Sequence, residues 1–140
     1  MKQIIALSLT LIIAISNLSC NPQNEQHPKK HTVVSNKIEV YYFHFSRRCK
    51  TCQLLEENTK LALEQLYGNE IKKEKYVFKS INLDKTENKS IAKELGVGGQ
   101  ALLVVSGSKK IDITNQGFMY AQDFEKIKKE IRIAIDKINK

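Results

Sequence analysis

The chain has 140 residues, which is enough for one domain with a sizeable core and a leader segment. Its hydrophobic fraction of 41% and charged fraction of 27% are ordinary for a globular protein and argue against disorder over most of its length. The formal net charge is +8, but the lysines are spread along helix-like segments with interleaved glutamates. We therefore expect a solvated basic surface and no nucleic-acid partner, with an anionic membrane as the next explanation of the charge.

The N-terminal residues have the pattern of an export signal. A positive charge at Lys2 precedes an apolar run over residues 4–15. About 12 apolar residues fall short of the roughly 20 that a helix needs to cross a bilayer, so we predict a secretory signal over residues 1–19. Ser19-Cys20 resembles the lipobox of bacterial lipoproteins, although the two residues before Ser19 depart from it. The resemblance implies acylation of Cys20, and the alternative is cleavage nearby that leaves Cys20 an incidental thiol.

Residues 20–36 are polar, contain two prolines and lack apolar periodicity. This composition predicts a flexible tether that holds a domain, residues 37–140, away from a membrane. His27 and His31 would lie on one face of a helix, but the helix signals here are poor and we expect no metal. The predicted product is an exported, membrane-anchored lipoprotein that faces the periplasm or the cell exterior.

The remaining residues alternate between strand-like and helix-like patterns. Residues 38–45 are β-branched, aromatic and apolar on both faces, which predicts a strand in a sheet covered on both sides. Helical spacing of apolar residues predicts a helix over residues 49–67 that ends at Gly68. The later predictions are a strand over 76–83, a short helix over 86–95 closed by Gly96, strands over 101–105 and 110–114, and a helix over 121–138. This order predicts an α/β domain whose first two strands are parallel.

The chain has three cysteines, and two of them lie three positions apart at the start of the first predicted helix, at Cys49 and Cys52. Side chains on neighbouring turns are close enough to alternate between a dithiol and a disulfide. The helix N-terminus favours a thiolate at Cys49, and Arg47, Arg48 and Lys50 add positive charge beside it. We therefore predict Cys49 as the nucleophile, Cys52 as the resolving thiol and these three cations as thiolate-stabilising residues. Export to an oxidising compartment agrees with a redox pair.

The order β-α-β-α-β-β-α, with Cys-x-x-Cys at the first strand-to-helix junction, resembles the thioredoxin fold over residues 37–140. Further matches are the strand end Ile81-Asn82-Leu83-Asp84 and the Leu95-Gly96-Val97 run before an apolar strand. The resemblance implies a central mixed sheet of four strands flanked by helices, and favours a thiol-disulfide oxidoreductase. We expect no cofactor. The residues expected to line a substrate groove opposite the cysteines are Gly99, Gln100 and Ala101.

The chain departs from the thioredoxin pattern at several positions. Thioredoxins have tryptophan where this chain has Arg48, a buried acid at Phe43, Gly-Pro at Lys50-Thr51, and a cis-proline at Ala101. These differences favour a specialised redox partner over a general disulfide reductase. Less distinctly, the sequence resembles small exported thioredoxin-like proteins of the nitrophenyl compound nitroreductase family, but no feature indicates flavin binding or nitroreduction.

Three functional hypotheses follow. The leading one is a membrane-tethered thiol-disulfide exchange protein whose partners are protein thiols or disulfides of the cell envelope, among them a membrane electron donor. The second is a soft-metal or metalloid site at Cys49 and Cys52, with His44 as a further ligand. The third is a redox-silent binding module on the same scaffold. His44 has two interpretations, as a general base for the thiols or as a strand histidine bonded to the backbone, and the second is the more usual.

Overall fold

The computed structural model describes residues 37–140. The predicted signal segment, the acylated Cys20 and the tether lie outside these residues. In chain order the elements are β1 (Ile38–His44), α1 (Lys50–Lys72), β2 (Tyr76–Asn82), a 3₁₀ turn (Thr86–Asn88), α2 (Lys89–Glu94), β3 (Ala101–Ser106), β4 (Lys109–Asp112), α3 (Thr114–Met119) and α4 (Phe124–Ile138). Within residues 37–140, no helix is long and apolar enough to cross a membrane.

The four strands form one mixed sheet in the order β2-β1-β3-β4. Strands β1 and β2 are parallel, with Ile38 opposite Tyr76 and His44 opposite Asn82. Strand β3 runs antiparallel to both β1 and β4. The structure therefore confirms the predicted α/β class, with a central mixed sheet of four strands flanked by helices in a thioredoxin-like order. Because β1 is a central strand and α1 follows it directly, the cysteines lie at the carboxyl end of the sheet.

Strand β1 is buried on both faces, as its sequence predicted. Val40 and Tyr42 belong to a core cluster that includes residues of α1 and α4. Tyr41 and Phe43, which point to the opposite face, pack with Ala92 of α2 and with β3. All of these strand side chains are at most 4% exposed. Burying an aromatic or branched side chain of this size stabilises a fold by roughly 1.5–3 kcal/mol, so the strand that carries the cysteines is firmly anchored.

Helix α1 continues past the end predicted from the sequence. The prediction ended it at residue 67 with Gly68 as the stop, whereas the helix ends at Lys72. Tyr67 has non-helical backbone angles (φ −139°, ψ 30°), so the helix has an irregularity near the predicted end and then resumes. The prediction was wrong because Tyr67 and Ile71 pack against the core, and this packing favours a further helical turn despite the glycine.

The segment after β4 also differs from the prediction. The fourth strand ends at Asp112, before the predicted residue 114, and the short helix α3 that follows was not predicted. The Thr114 hydroxyl accepts the Leu102 N–H at 2.9 Å, and the Asp112 carboxylate accepts the Thr114 N–H at 2.8 Å. These tertiary contacts stabilise a helix whose sequence has low helix propensity. Helix α4 begins at Phe124, three residues later than predicted, because Asp123 caps it.

Candidate redox site

Cys49 is the N-cap residue of α1. Its backbone is extended (φ −73°, ψ 167°), and its sulfur accepts a hydrogen bond from the backbone N–H of Cys52 at 3.3 Å. Both cysteines are free thiols; Cys49 is exposed and Cys52 is buried. The structure thus confirms the predicted position of Cys49 at the helix N-terminus. It places one sulfur where a partner can reach it and the other one turn deeper.

The surroundings of Cys49 favour its thiolate. Hydrogen bonds from the Cys52 thiol and the Cys52 backbone N–H lower the pKa of Cys49, and the Thr51 N–H acts in the same direction. An N–H group at a helix N-terminus has no partner inside the helix, so an anionic sulfur there satisfies it. A lowered pKa increases the thiolate fraction at neutral pH, and the thiolate is the nucleophilic form of cysteine.

The three predicted thiolate-stabilising cations have different environments. Arg47 and Lys50 are exposed on either side of the Arg48-Cys49 pair. Arg48 forms an ion pair with Glu56 of α1, and the two side chains are 28% and 11% exposed. The Arg48 guanidinium is thus held by a carboxylate, while the largest influences on the pKa of Cys49 come from Cys52. The action of these cations on the Cys49 thiolate remains a prediction.

Sequence reasoning missed Glu56, which lies on the buried face of α1. Its carboxylate also accepts a hydrogen bond from Lys60 at 2.8 Å. Burial raises the pKa of Glu56, but hydrogen bonds from Lys60, Ser80 and Arg48 outweigh it, so the net pKa is below the ordinary value. A sequence signal was present, because Glu56 lies four residues after Cys52 on the same helix face.

The buried Cys52 is held at each of its polar groups. Its carbonyl oxygen accepts a hydrogen bond from the buried Tyr42 hydroxyl at 3.0 Å. Its thiol donates to Gln100 Oε1, with 3.6 Å between sulfur and oxygen. Together with the N–H bond to Cys49, these contacts fix Cys52 beneath the exposed sulfur. The resolving thiol therefore has little positional freedom to lose when it reacts.

The three predicted groove residues lie together beside the pair. Gly99, Gln100 and Ala101 line a cleft of about 530 Å³ whose other walls are residues 96–98, Asp112 and residues 114–116. Gln100 lines this cleft and also contacts Cys52. Backbone and amide groups at the cleft wall are suited to hydrogen-bonding a polypeptide backbone. Whether the cleft binds substrate remains a prediction.

His44 is bonded away from the thiols. Its Nδ1 lies 2.9 Å from the Phe45 carbonyl oxygen and donates to it, and its Nε2 lies 3.0 Å from the Ser80 hydroxyl. The structure confirms the interpretation in which this strand histidine bonds to the backbone. In residues 37–140, no three histidine, cysteine, aspartate or glutamate side chains are grouped so that they could hold a metal ion.

The loop between β1 and α1 is tied to the end of β2. The Ser46 N–H donates to Asp84 Oδ2 at 2.7 Å, and the Asn82 amide donates to the Ser46 hydroxyl at 3.0 Å. The Ser46 backbone N–H lowers the pKa of Asp84. These bonds explain why a polar strand end follows β2, and they fix the approach of the chain to Cys49.

Comparison with known proteins gives limited similarity. No protein-family model matches the chain, and no curated protein matches it. One solved structure, titled as that of a malarial protein, is 18% identical with a TM-score of 0.45, over 67% of this chain and 96% of the other. Chloroplastic thioredoxin z is 15% identical with a TM-score of 0.40, over 64% and 80% of the two chains. At this level neither similarity carries an argument, and the fold assignment rests on the strand order and connections.

Proposed function

We propose that this protein exchanges thiols and disulfides with partner proteins through Cys49 and Cys52. The observation that carries the proposal is the N-cap position of Cys49, where an exposed sulfur accepts the Cys52 N–H and the pKa of Cys49 is lowered. A reactive cysteine needs both thiolate character and access, and Cys49 has both. The buried thiol of Cys52 directly below supplies the second electron pair.

The reaction proceeds in two balanced steps. The Cys49 thiolate attacks one sulfur of a partner disulfide, so a mixed disulfide forms and the partner's other sulfur leaves as a thiolate. Cys52 then loses its proton and attacks the Cys49 sulfur, which forms the Cys49–Cys52 disulfide and releases the second partner thiolate. Two electrons pass from this protein to its partner. The reverse sequence oxidises a partner dithiol, and the reduction potential decides which direction operates.

The proposal includes a location and a set of partners. The export signal and lipobox-like sequence at Cys20 support a lipoprotein tethered to a membrane of the cell envelope, with residues 20–36 as the tether. Envelope proteins with exchangeable thiols or disulfides, including a membrane electron donor, are the partners in this setting. If Cys20 is acylated, Cys20→Ala will move the protein from the membrane to the soluble fraction. Unchanged fractionation would refute the anchor while leaving the redox proposal intact.

A trapping experiment tests the redox proposal. Cys52→Ser retains the nucleophile and removes the resolving thiol, so partners should accumulate as mixed disulfides with Cys49 that a reductant releases. The matched control is Cys49→Ser, which retains the buried thiol and should trap much less. If Cys52→Ser yields no mixed disulfide in cells, or if both variants trap equally, the assignment of Cys49 as nucleophile is wrong.

The direction of exchange is measured separately. A reduction potential of about −120 mV would identify an oxidant, and one of about −270 mV a reductant. A potential below about −300 mV would identify a structural disulfide and refute the exchange function.

A further inference from the structure

Gln100 is the residue through which the cleft meets the buried thiol. Its Oε1 lies 3.6 Å from Cys52 Sγ and accepts the S–H. Cys52 is 4% exposed, so water has little access to this sulfur. We propose that Gln100 sets the redox poise of the Cys49–Cys52 pair through a hydrogen bond that exists only in the dithiol state. This inference rests on the proposed exchange function and adds a positioning residue to it.

The hydrogen bond depends on the redox state because the donor is the thiol proton. Oxidation of the pair by glutathione disulfide forms the Cys49–Cys52 bond and breaks the glutathione S–S bond. The protein loses two electrons and two protons, and two glutathione thiols are formed. Cys52 then has no proton to donate, and Gln100 Oε1 loses its donor. The contact therefore stabilises the dithiol relative to the disulfide and makes the pair more oxidising.

The other polar groups of Cys52 do not depend on Gln100. Its N–H donates to the Cys49 sulfur, and its carbonyl oxygen accepts from Tyr42. Replacing Gln100 thus changes the partner of the thiol while both backbone bonds remain. An effect on the redox equilibrium can therefore be separated from a general displacement of Cys52.

A second acceptor competes for the same thiol proton. The Cys49 sulfur also accepts from the Cys52 thiol. In acid, where Cys49 retains its own proton, the amide oxygen of Gln100 is the stronger acceptor; at higher pH the Cys49 thiolate competes with it. The contribution of Gln100 should therefore decrease as the pH rises. Other ionisable groups face this region from β1, the loop before α1, α1 and the cleft, and they are the same in every variant: Tyr42, His44, Arg48, Glu56 and Asp112.

The test is an equilibrium with glutathione, using the full chain with Cys20→Ser so that only the pair titrates. Gln100→Met retains the side-chain length but removes the amide acceptor. It should shift the equilibrium constant toward the disulfide by about two- to fivefold, the effect of one weak hydrogen bond. Gln100→Glu supplies a carboxylate acceptor and should shift the constant toward the dithiol. Gln100→Asn is too short to reach the thiol and should behave like Gln100→Met.

The matched control is Gln116→Met, which makes the same replacement in the same cleft at an exposed residue and should leave the constant unchanged. The role of Gln100 is refuted if Gln100→Met equals this control, or if Gln100→Met and Gln100→Glu shift the constant in the same direction. It is also refuted if the effect of Gln100→Met is as large at high pH as in acid. Thermal unfolding of each variant verifies folding. A pair that forms no disulfide at any glutathione ratio would instead refute the proposed exchange function.

Discussion

The ion pair between Arg48 and Glu56 leads to a stability prediction that can be worked out from the structure. Glu56→Gln retains the size of the side chain and removes its charge. Exposed pairs contribute about 0–1 kcal/mol, and breaking a fully buried one costs about 3–5 kcal/mol. The Glu56 side chain is 11% exposed, while its partners Arg48 and Lys60 are 28% and 48% exposed, which places this cluster between the two limits. We expect the free energy of unfolding to fall by about 1–2 kcal/mol.

The assay is thermal or denaturant unfolding at neutral pH, with Glu57→Gln as the control because Glu57 is the next residue on α1 and is exposed. For a domain of this size the expected loss lowers the unfolding midpoint by about 5–10 °C. The control should change it much less. If the two variants unfold at the same midpoint, the carboxylate of Glu56 does not hold the start of α1 and the reasoning is refuted.

The pH dependence gives a second check on Glu56. Its pKa is lower in the folded protein than the ordinary value of 4.5, so the ionised group contributes stability above that value. This contribution is lost as the pH falls through the folded pKa. The stability difference between the wild type and Glu56→Gln should therefore be full at neutral pH and shrink in acid. A difference that stays constant through the acid range would show that the charge of Glu56 is not responsible.

Three further predictions concern the frame of the site. Tyr42→Phe removes a buried hydroxyl that donates to the Cys52 carbonyl oxygen and should destabilise the fold by about 1 kcal/mol in denaturant unfolding; unchanged stability would contradict the bond. Asp123→Ala removes the N-cap acceptor of the Lys126 N–H and should also lose about 1 kcal/mol, whereas Asp123→Asn should retain most of it. Gly117→Val should reduce the free energy of unfolding by about 1–3 kcal/mol, because a Cβ there meets a leucine methyl carbon at 3.1 Å; an unfolding midpoint equal to wild type would show that the core yields.

Local patterns were sufficient to predict the frame of the fold. The apolar run of β1 and the position of Cys49 at a helix start are written in consecutive residues, as is the helical spacing of α4. That spacing buries Ile127, Ile131 and Ile138 at no more than 3% exposure. Each of these patterns reflects one element against one core face, so periodicity alone reveals it. The element order then restricts the sheet to very few topologies.

Long-range contacts could not be predicted in this way. The contact between Gln100 and Cys52 joins residues 48 positions apart, and it depends on how the loop before β3 meets α1. Helix α3 was missed because its threonine, asparagine and glycine residues are poor helix formers, and its stability comes from packing on the sheet. Glu56 was missed because a carboxylate on a buried face reads as an exposed charge until its partners are known.

The groups that lower the pKa of Cys49 explain how the site can depart from thioredoxin and still retain a reactive cysteine. They are the thiol and N–H of Cys52 and the backbone amide of Thr51, which any helix with this cysteine spacing supplies. The positions that differ from thioredoxin, at Arg48 and Ala101, lie around these groups rather than among them. Arg48 is bonded to Glu56, and Ala101 lines the cleft beside Gln100. We therefore expect the substitutions to alter the partner surface and the redox poise, while Cys49 remains the nucleophile.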